Sequence, residues 1–89
     1  MIDYALAKKQ GPKLKAALTR AKNVKDPHAR WDATKNACSK AVAAWRQWGA
    51  WPDGWALWQV TLDDAYTKYA HSGMYHGDLP DHRLRLEEL

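Results

Sequence analysis

The sequence predicts an all-α protein: a small three-helix bundle, or a four-helix bundle if residues 1–10 form a helix of their own. It is built on an antiparallel helical hairpin with a Trp-rich core. Three observations predict it. Apolar residues recur at i, i+3, i+4 and i+7 in three long segments. Turn signals at Gly11-Pro12, Asp26-Pro27 and Pro52-Asp53-Gly54 separate those segments. The chain holds six tryptophans and no phenylalanine in 89 residues, and five of the six lie between Trp45 and Trp58, on both sides of Pro52-Asp53-Gly54. A chain this short forms one domain whose core gives only modest stability. Indoles that each bury on the order of 200 Å² are one remedy.

The first clear helix is expected from about Pro12 to Val24. Proline suits a first helical position, where its missing N–H costs nothing. Leu14, Ala17, Leu18, Ala21 and Val24 make its apolar stripe, flanked by Lys13 and Lys25 with Arg20 and Lys22 beyond them. Residues 2–9 are read as a short separate helix, broken at Gly11-Pro12.

The second helix has the clearest punctuation. Asp26 is a good N-cap, Pro27 a good first residue, and Gly49 a good left-handed stop. Trp31, Thr34, Cys38, Ala41, Val42, Trp45 and Trp48 share one face; Asp32, Asn36, Ser39, Lys40 and Gln47 lie opposite. A third helix is expected from about Asp53, as N-cap, to Ser72, with Gly73 as the stop. Trp55, Trp58, Leu62, Ala65, Tyr66 and Tyr69 form its main apolar face. Leu57 and Val60 point the other way and need cover from the first helix, the tail or a second subunit. The short link after Gly49 makes helices two and three antiparallel neighbours. Residues 77–89 read either as a flexible tail or as a short helix, capped by Asp78 or Asp81 and running through Leu84, Leu86 and Leu89; alternation of Leu84 and Leu86 also fits an extended segment.

The single cysteine excludes an intramolecular disulfide and suits a reducing compartment. The N-terminal residues lack a signal-peptide pattern, and no apolar run reaches the length of a membrane span. A soluble protein of the cytoplasm is expected. Residues 1–50 carry eleven basic and three acidic side chains, a balance of +8; residues 51–89 carry three and seven, a balance of −4. A basic half attracts nucleic acid, an acidic protein or an anionic surface, or else pairs with the acidic half within one fold or between copies.

No catalytic motif stands out, and neither an enzyme nor a cofactor is expected. His71, His76, Asp78, Asp81 and His82 are the sole metal-like constellation, but their spacing matches no ligand signature, so solvated loop residues are the better reading. Asp63 and Asp64 point about 100° apart on a helix and do not face each other as an acid–base pair. Cys38 on an apolar stripe reads as an inert buried thiol. A helix-turn-helix reading puts Asp53, Asp63 and Asp64 on the recognition helix, with Lys68 alone for contact, which is electrostatically wrong for DNA.

The stretch Trp45-x-x-Trp48-x-x-Trp51-Pro52-Asp53-x-Trp55-x-x-Trp58-Gln59-x-x-Leu62-x-Asp64-Ala65 resembles a recurring segment in small proteins of actinobacterial viruses. The resemblance covers about a quarter of the chain. That family has no assigned function and supplies no catalytic or binding residues. It implies a bacteriophage accessory protein acting in the host bacterial cytoplasm.

Two binding functions follow. In the first, Lys13, Lys15, Arg20, Lys22, Lys25, Arg30, Lys35 and Arg46 contact nucleic-acid phosphates. In the second, Trp51, Arg46, Leu57 and Val60 bind a host protein, an acidic one included, with Trp51 as the exposed indole. Homo-oligomer formation through Leu57 and Val60 is compatible with either.

Overall fold

The computed structural model describes residues 2–71 and 84–89. Three helices follow one another: α1, Tyr4–Lys22; α2, Pro27–Trp48; and α3, Trp55–Ala70. No strand occurs among the described residues. Helix α2 is central. Helices α1 and α3 both pack mainly against it, and they approach each other only along one cleft. Among the described residues, no helix is long and apolar enough to cross a membrane.

Helix α2 is bounded as its sequence predicts. The Asp26 carboxylate accepts the Ala29 N–H at 2.8 Å, Pro27 opens the first turn, and Gly49 closes the helix at φ 86°. Thr34, Ala37, Cys38, Ala41, Val42, Trp45 and Trp48 are its buried face. Helix α3 begins at Trp55, one residue after Gly54, so Asp53 is not its N-cap. The turn backbone supplies acceptors instead. Pro52 O takes the Trp55 N–H and Gly54 O the Leu57 N–H, both at 3.1 Å.

The expected break at Gly11-Pro12 does not occur; α1 runs unbroken through both residues. An interior proline loses one helical hydrogen bond and crowds the carbonyl four residues back, at a cost of about 3 kcal/mol. Anchors on both sides of it offset that cost. The Asp3 N–H donates to Trp48 O at 2.8 Å, and the Trp48 indole N–H donates to Gln10 Oε1 at 2.9 Å. Leu6, Ala7, Leu14 and Leu18 form one stripe against the core on both sides of Pro12. The Asp3 carboxylate caps the start by accepting the Leu6 N–H at 3.0 Å.

The core centres on Trp45, which is 1% exposed. Its ring meets Trp58 edge-on at 5.4 Å and Trp51 at 5.2 Å, and Trp51 in turn meets Trp55 edge-on at 5.6 Å. The four rings therefore run from the core out to the surface. Trp51 is half-buried, and Trp55, expected on the apolar face, is the exposed member at 40%. As the first residue of α3, Trp55 has only the turn beside it. Leu57 and Val60 point outward, each 61% exposed, with no cover from the described residues.

The end of the chain is part of the core rather than a loose tail. Leu86 is 1% exposed, and Leu84 and Leu89 pack against the same cluster. Leu84 and Arg85 are non-helical, and Leu86–Glu88 forms one 3-10 turn. Gln59 holds this segment with both ends of its amide. Its Nε2 donates to Leu84 O at 3.1 Å, and its Oε1 accepts the Leu86 N–H at 3.0 Å. The proposed caps Asp78 and Asp81, and the stop Gly73, lie outside the described residues.

Candidate functional site

Helix α1 carries six cations (Lys8, Lys9, Lys13, Lys15, Arg20 and Lys22) and no carboxylate. Lys9 and Lys13 stand one turn apart, a like-charge spacing that costs a helix a few tenths of a kcal/mol. Four of the six divide between the two edges of the helix. Lys13 and Arg20 face α2, while Lys15 and Lys22 face α3.

On the α2 side, the α1–α2 seam opens outward as two shallow depressions. In the first, of about 380 Å³, Gln10, Lys13 and Leu14 face Lys40, Ala43 and Gln47. In the second, of about 230 Å³, Ala17 and Arg20 face Ala33, Asn36 and Lys40. Lys40 borders both. The seam thus presents three cations and three carboxamides over alanine, and no carboxylate lines either depression. Lys13 and Arg20 lie seven residues apart, about 10 Å along the helix. Among the described residues, none of Lys13, Arg20 and Lys40 has a carboxylate partner.

The eight cations expected to contact phosphate do not form one surface. Lys13 and Arg20 are joined by Lys40, which the helical projection of the sequence puts on the polar face of the second helix. Lys15 and Lys22 border the separate cleft against α3. Lys25 is exposed in the turn between α1 and α2. Arg30 is tied to that turn: its Nε donates to Val24 O at 2.6 Å and its Nη2 to Lys25 O at 3.3 Å. A cation there also suits the carbonyl end of α1. Arg46 holds the end of the chain through Leu89 O at 3.1 Å and Glu87 O at 3.4 Å. Lys35 pairs with Asp32 at 3.6 Å and lies 5.0 Å from the centre of the Trp31 ring.

The cations of this seam lie apart from the aromatic rings. Trp31 stacks on Tyr69 at 6.2 Å and meets Tyr66 edge-on at 5.5 Å, all on the α3 side of α2. The alanine-lined depressions hold no ring. They suit phosphate neutralisation and not base stacking.

Other chemistry-bearing side chains have separate occupations. Asp63 accepts from Gln59 Nε2 at 3.0 Å and Asp64 pairs with Lys68 at 3.1 Å, so the two carboxylates point apart. Burial without a partner pushes the Cys38 thiol up to about 12. A thiol that stays protonated is a poor nucleophile. Of the histidine-rich stretch, His76, Asp78, Asp81 and His82 lie outside the described residues. Within the described residues there is no cluster of three metal-ligating side chains. No protein-family model, curated protein or solved structure matches the chain.

Proposed function

We propose that this protein binds nucleic acid without catalysing a reaction, through the face formed by Lys13, Arg20 and Lys40 on α1 and α2. The observation that carries the reading is a seam of three cations and three carboxamides with no carboxylate lining it or paired to those cations among the described residues. Such a surface attracts a polyanion by charge and donates hydrogen bonds to phosphate oxygens. Without base-reading rings or a helix shaped for the groove, it favours binding with little sequence preference. The setting implied by the viral resemblance, a bacteriophage accessory protein in a bacterial cytoplasm, belongs to the same proposal.

Fluorescence anisotropy with a short labelled duplex tests it. Three phosphate contacts give a slope of about −2.7 in log affinity against log salt. Lys13→Glu with Lys40→Glu abolishes binding, while Lys35→Glu leaves it nearly unchanged. Absence of binding at low salt, or affinity indifferent to salt, overturns the reading.

A second reading is favoured by the outer face of α3, where Leu57 and Val60 are each 61% exposed beside Trp55. That face fits a protein partner, a host protein or a second copy of the chain. Leu57→Ser with Val60→Ser separates the two readings, since it leaves duplex binding intact and removes a partner held there.

A further inference from the structure

We infer that the cleft between α1 and α3 binds a small amphipathic monoanion: a carboxylate on an apolar tail. This site is on the edge of α1 opposite the proposed nucleic-acid face and does not rest on that reading. Its volume is about 480 Å³, within the range of small-ligand pockets.

The cleft has an apolar floor and a cationic rim. Leu18, 7% exposed, and Trp58, 5% exposed, form the floor. Lys15, Thr19 and Lys22 follow one another at i, i+4 and i+7, so they share one edge of α1. Leu57 and Thr61 of α3 form the facing wall, and the Pro52–Gly54 turn stands across one end. Two turns of helix separate Lys15 from Lys22, about 10 Å. Long lysine stems from both positions can converge on one head group above Thr19 while their methylenes lie along the apolar floor.

Charge and hydrogen bonding select the class of ligand. Neither threonine has a proton to offer, because Thr19 Oγ1 donates to Lys15 O at 3.0 Å and Thr61 Oγ1 donates to Leu57 O at 2.8 Å. The two ammonium groups are then the charged side-chain donors of the cleft, beside the Trp58 indole N–H. Asp53 on the turn is its one carboxylate among the described residues, whose lining side chains carry two positive charges and one negative. A net charge of +1 matches one carboxylate and disfavours a dianion such as a phosphate monoester. Leu57, largely exposed at the cleft wall, gains cover from the tail, and that burial supplies the driving force.

Methyl-resolved NMR titration of the full chain tests the inference, with hexanoate, octanoate and decanoate below their micelle concentrations and decanol as the uncharged control. Saturable shifts are expected at the Leu18, Leu57 and Thr61 methyls. Affinity should rise about fourfold per added methylene. Lys15→Gln with Lys22→Gln should weaken decanoate about tenfold without changing decanol, and Lys13→Gln with Lys40→Gln should change neither. The lysines are exposed, so both double variants retain the fold, which their spectra check directly. Shifts centred elsewhere, no saturation, equal affinity for decanoate and decanol, or indifference to the Lys15/Lys22 pair would each overturn it.

Discussion

The two flanks of α2 are built from different materials. Toward α3 it presents Trp45 to the rings of Trp58 and Trp51, with Leu62 and the returning Leu86 completing a bulky core. Toward α1 it presents Ala33, Ala37 and Ala44 beside Leu14, Ala17 and Ala21, with the Trp48 indole bonded to Gln10 at one end. Large rings bury area and give aromatic pairs worth about 0.5–1.5 kcal/mol beyond that area. Small residues let two backbones approach and leave the seam shallow, so Lys13, Arg20 and Lys40 stay in water at its edge. One helix therefore divides its duties: the α3 flank buries the larger rings, and the α1 flank carries the accessible charge.

The strongest way to break this comparison is at its centre. Trp45→Ala should cost about 3–5 kcal/mol in denaturant unfolding, more than Leu18→Ala on the α1 side. Equal losses at the two positions would erase the asymmetry. Leu86→Ala should cost about 2–5 kcal/mol, as a buried leucine does and a loose tail does not. A loss near zero would remove the chain end from the α3 flank.

A pH titration sharpens the picture of the same core. Folding holds the Cys38 thiol protonated up to about pH 12, whereas in the unfolded chain it ionises near its ordinary value of 9.0. The unfolded state then binds fewer protons between those limits, so stability falls as pH rises through that window, by up to about 1.4 kcal/mol per unit. Cys38→Ala should flatten this part of the pH profile. Thr34, fully buried on α2, has a hydroxyl with no hydrogen-bond partner among the described residues. Thr34→Val should therefore stabilise the protein by about 1 kcal/mol in thermal unfolding.

The smallest expected effect lies in α1. Gly11 is helical, and apart from its chain neighbours and its own helix backbone a Cβ there meets nothing within 4 Å. Gly11→Ala should add about 0.5–1 kcal/mol, read as a rise in unfolding midpoint. A destabilised variant would mean that α1 bends at Gly11-Pro12 under load.

How far the sequence was legible depends on the range of the interaction. The ends of α2 were readable because Asp26, Pro27 and Gly49 act within one turn of themselves. Most of the buried faces of α2 and α3 were readable from spacing; Trp55, at a helix start, is exposed, and the small Ala37 and Thr61 are buried beside the expected stripes. Arg30 and Arg46 each donate to backbone carbonyls, and Arg46 reaches across more than forty residues to Glu87 and Leu89. Nothing in the local sequence distinguishes an arginine that will donate to a distant carbonyl from one left in solvent. Lys40 was overlooked for the complementary reason: it looks like any solvated lysine until α1 brings Lys13 and Arg20 beside it.

By itself the sequence determined the helical class, the caps of α2, the hairpin turn and the crowding of indoles around it. All of these follow from backbone dihedral preferences and helical periodicity, which operate over a few residues. Tertiary structure alone decided that α1 passes through Pro12, that Gln59 and Arg46 hold residues 84–89 in the core, and which cations share a surface. Those outcomes depend on groups far apart in the chain, whose packing and hydrogen-bond energies exceed the local preference they override.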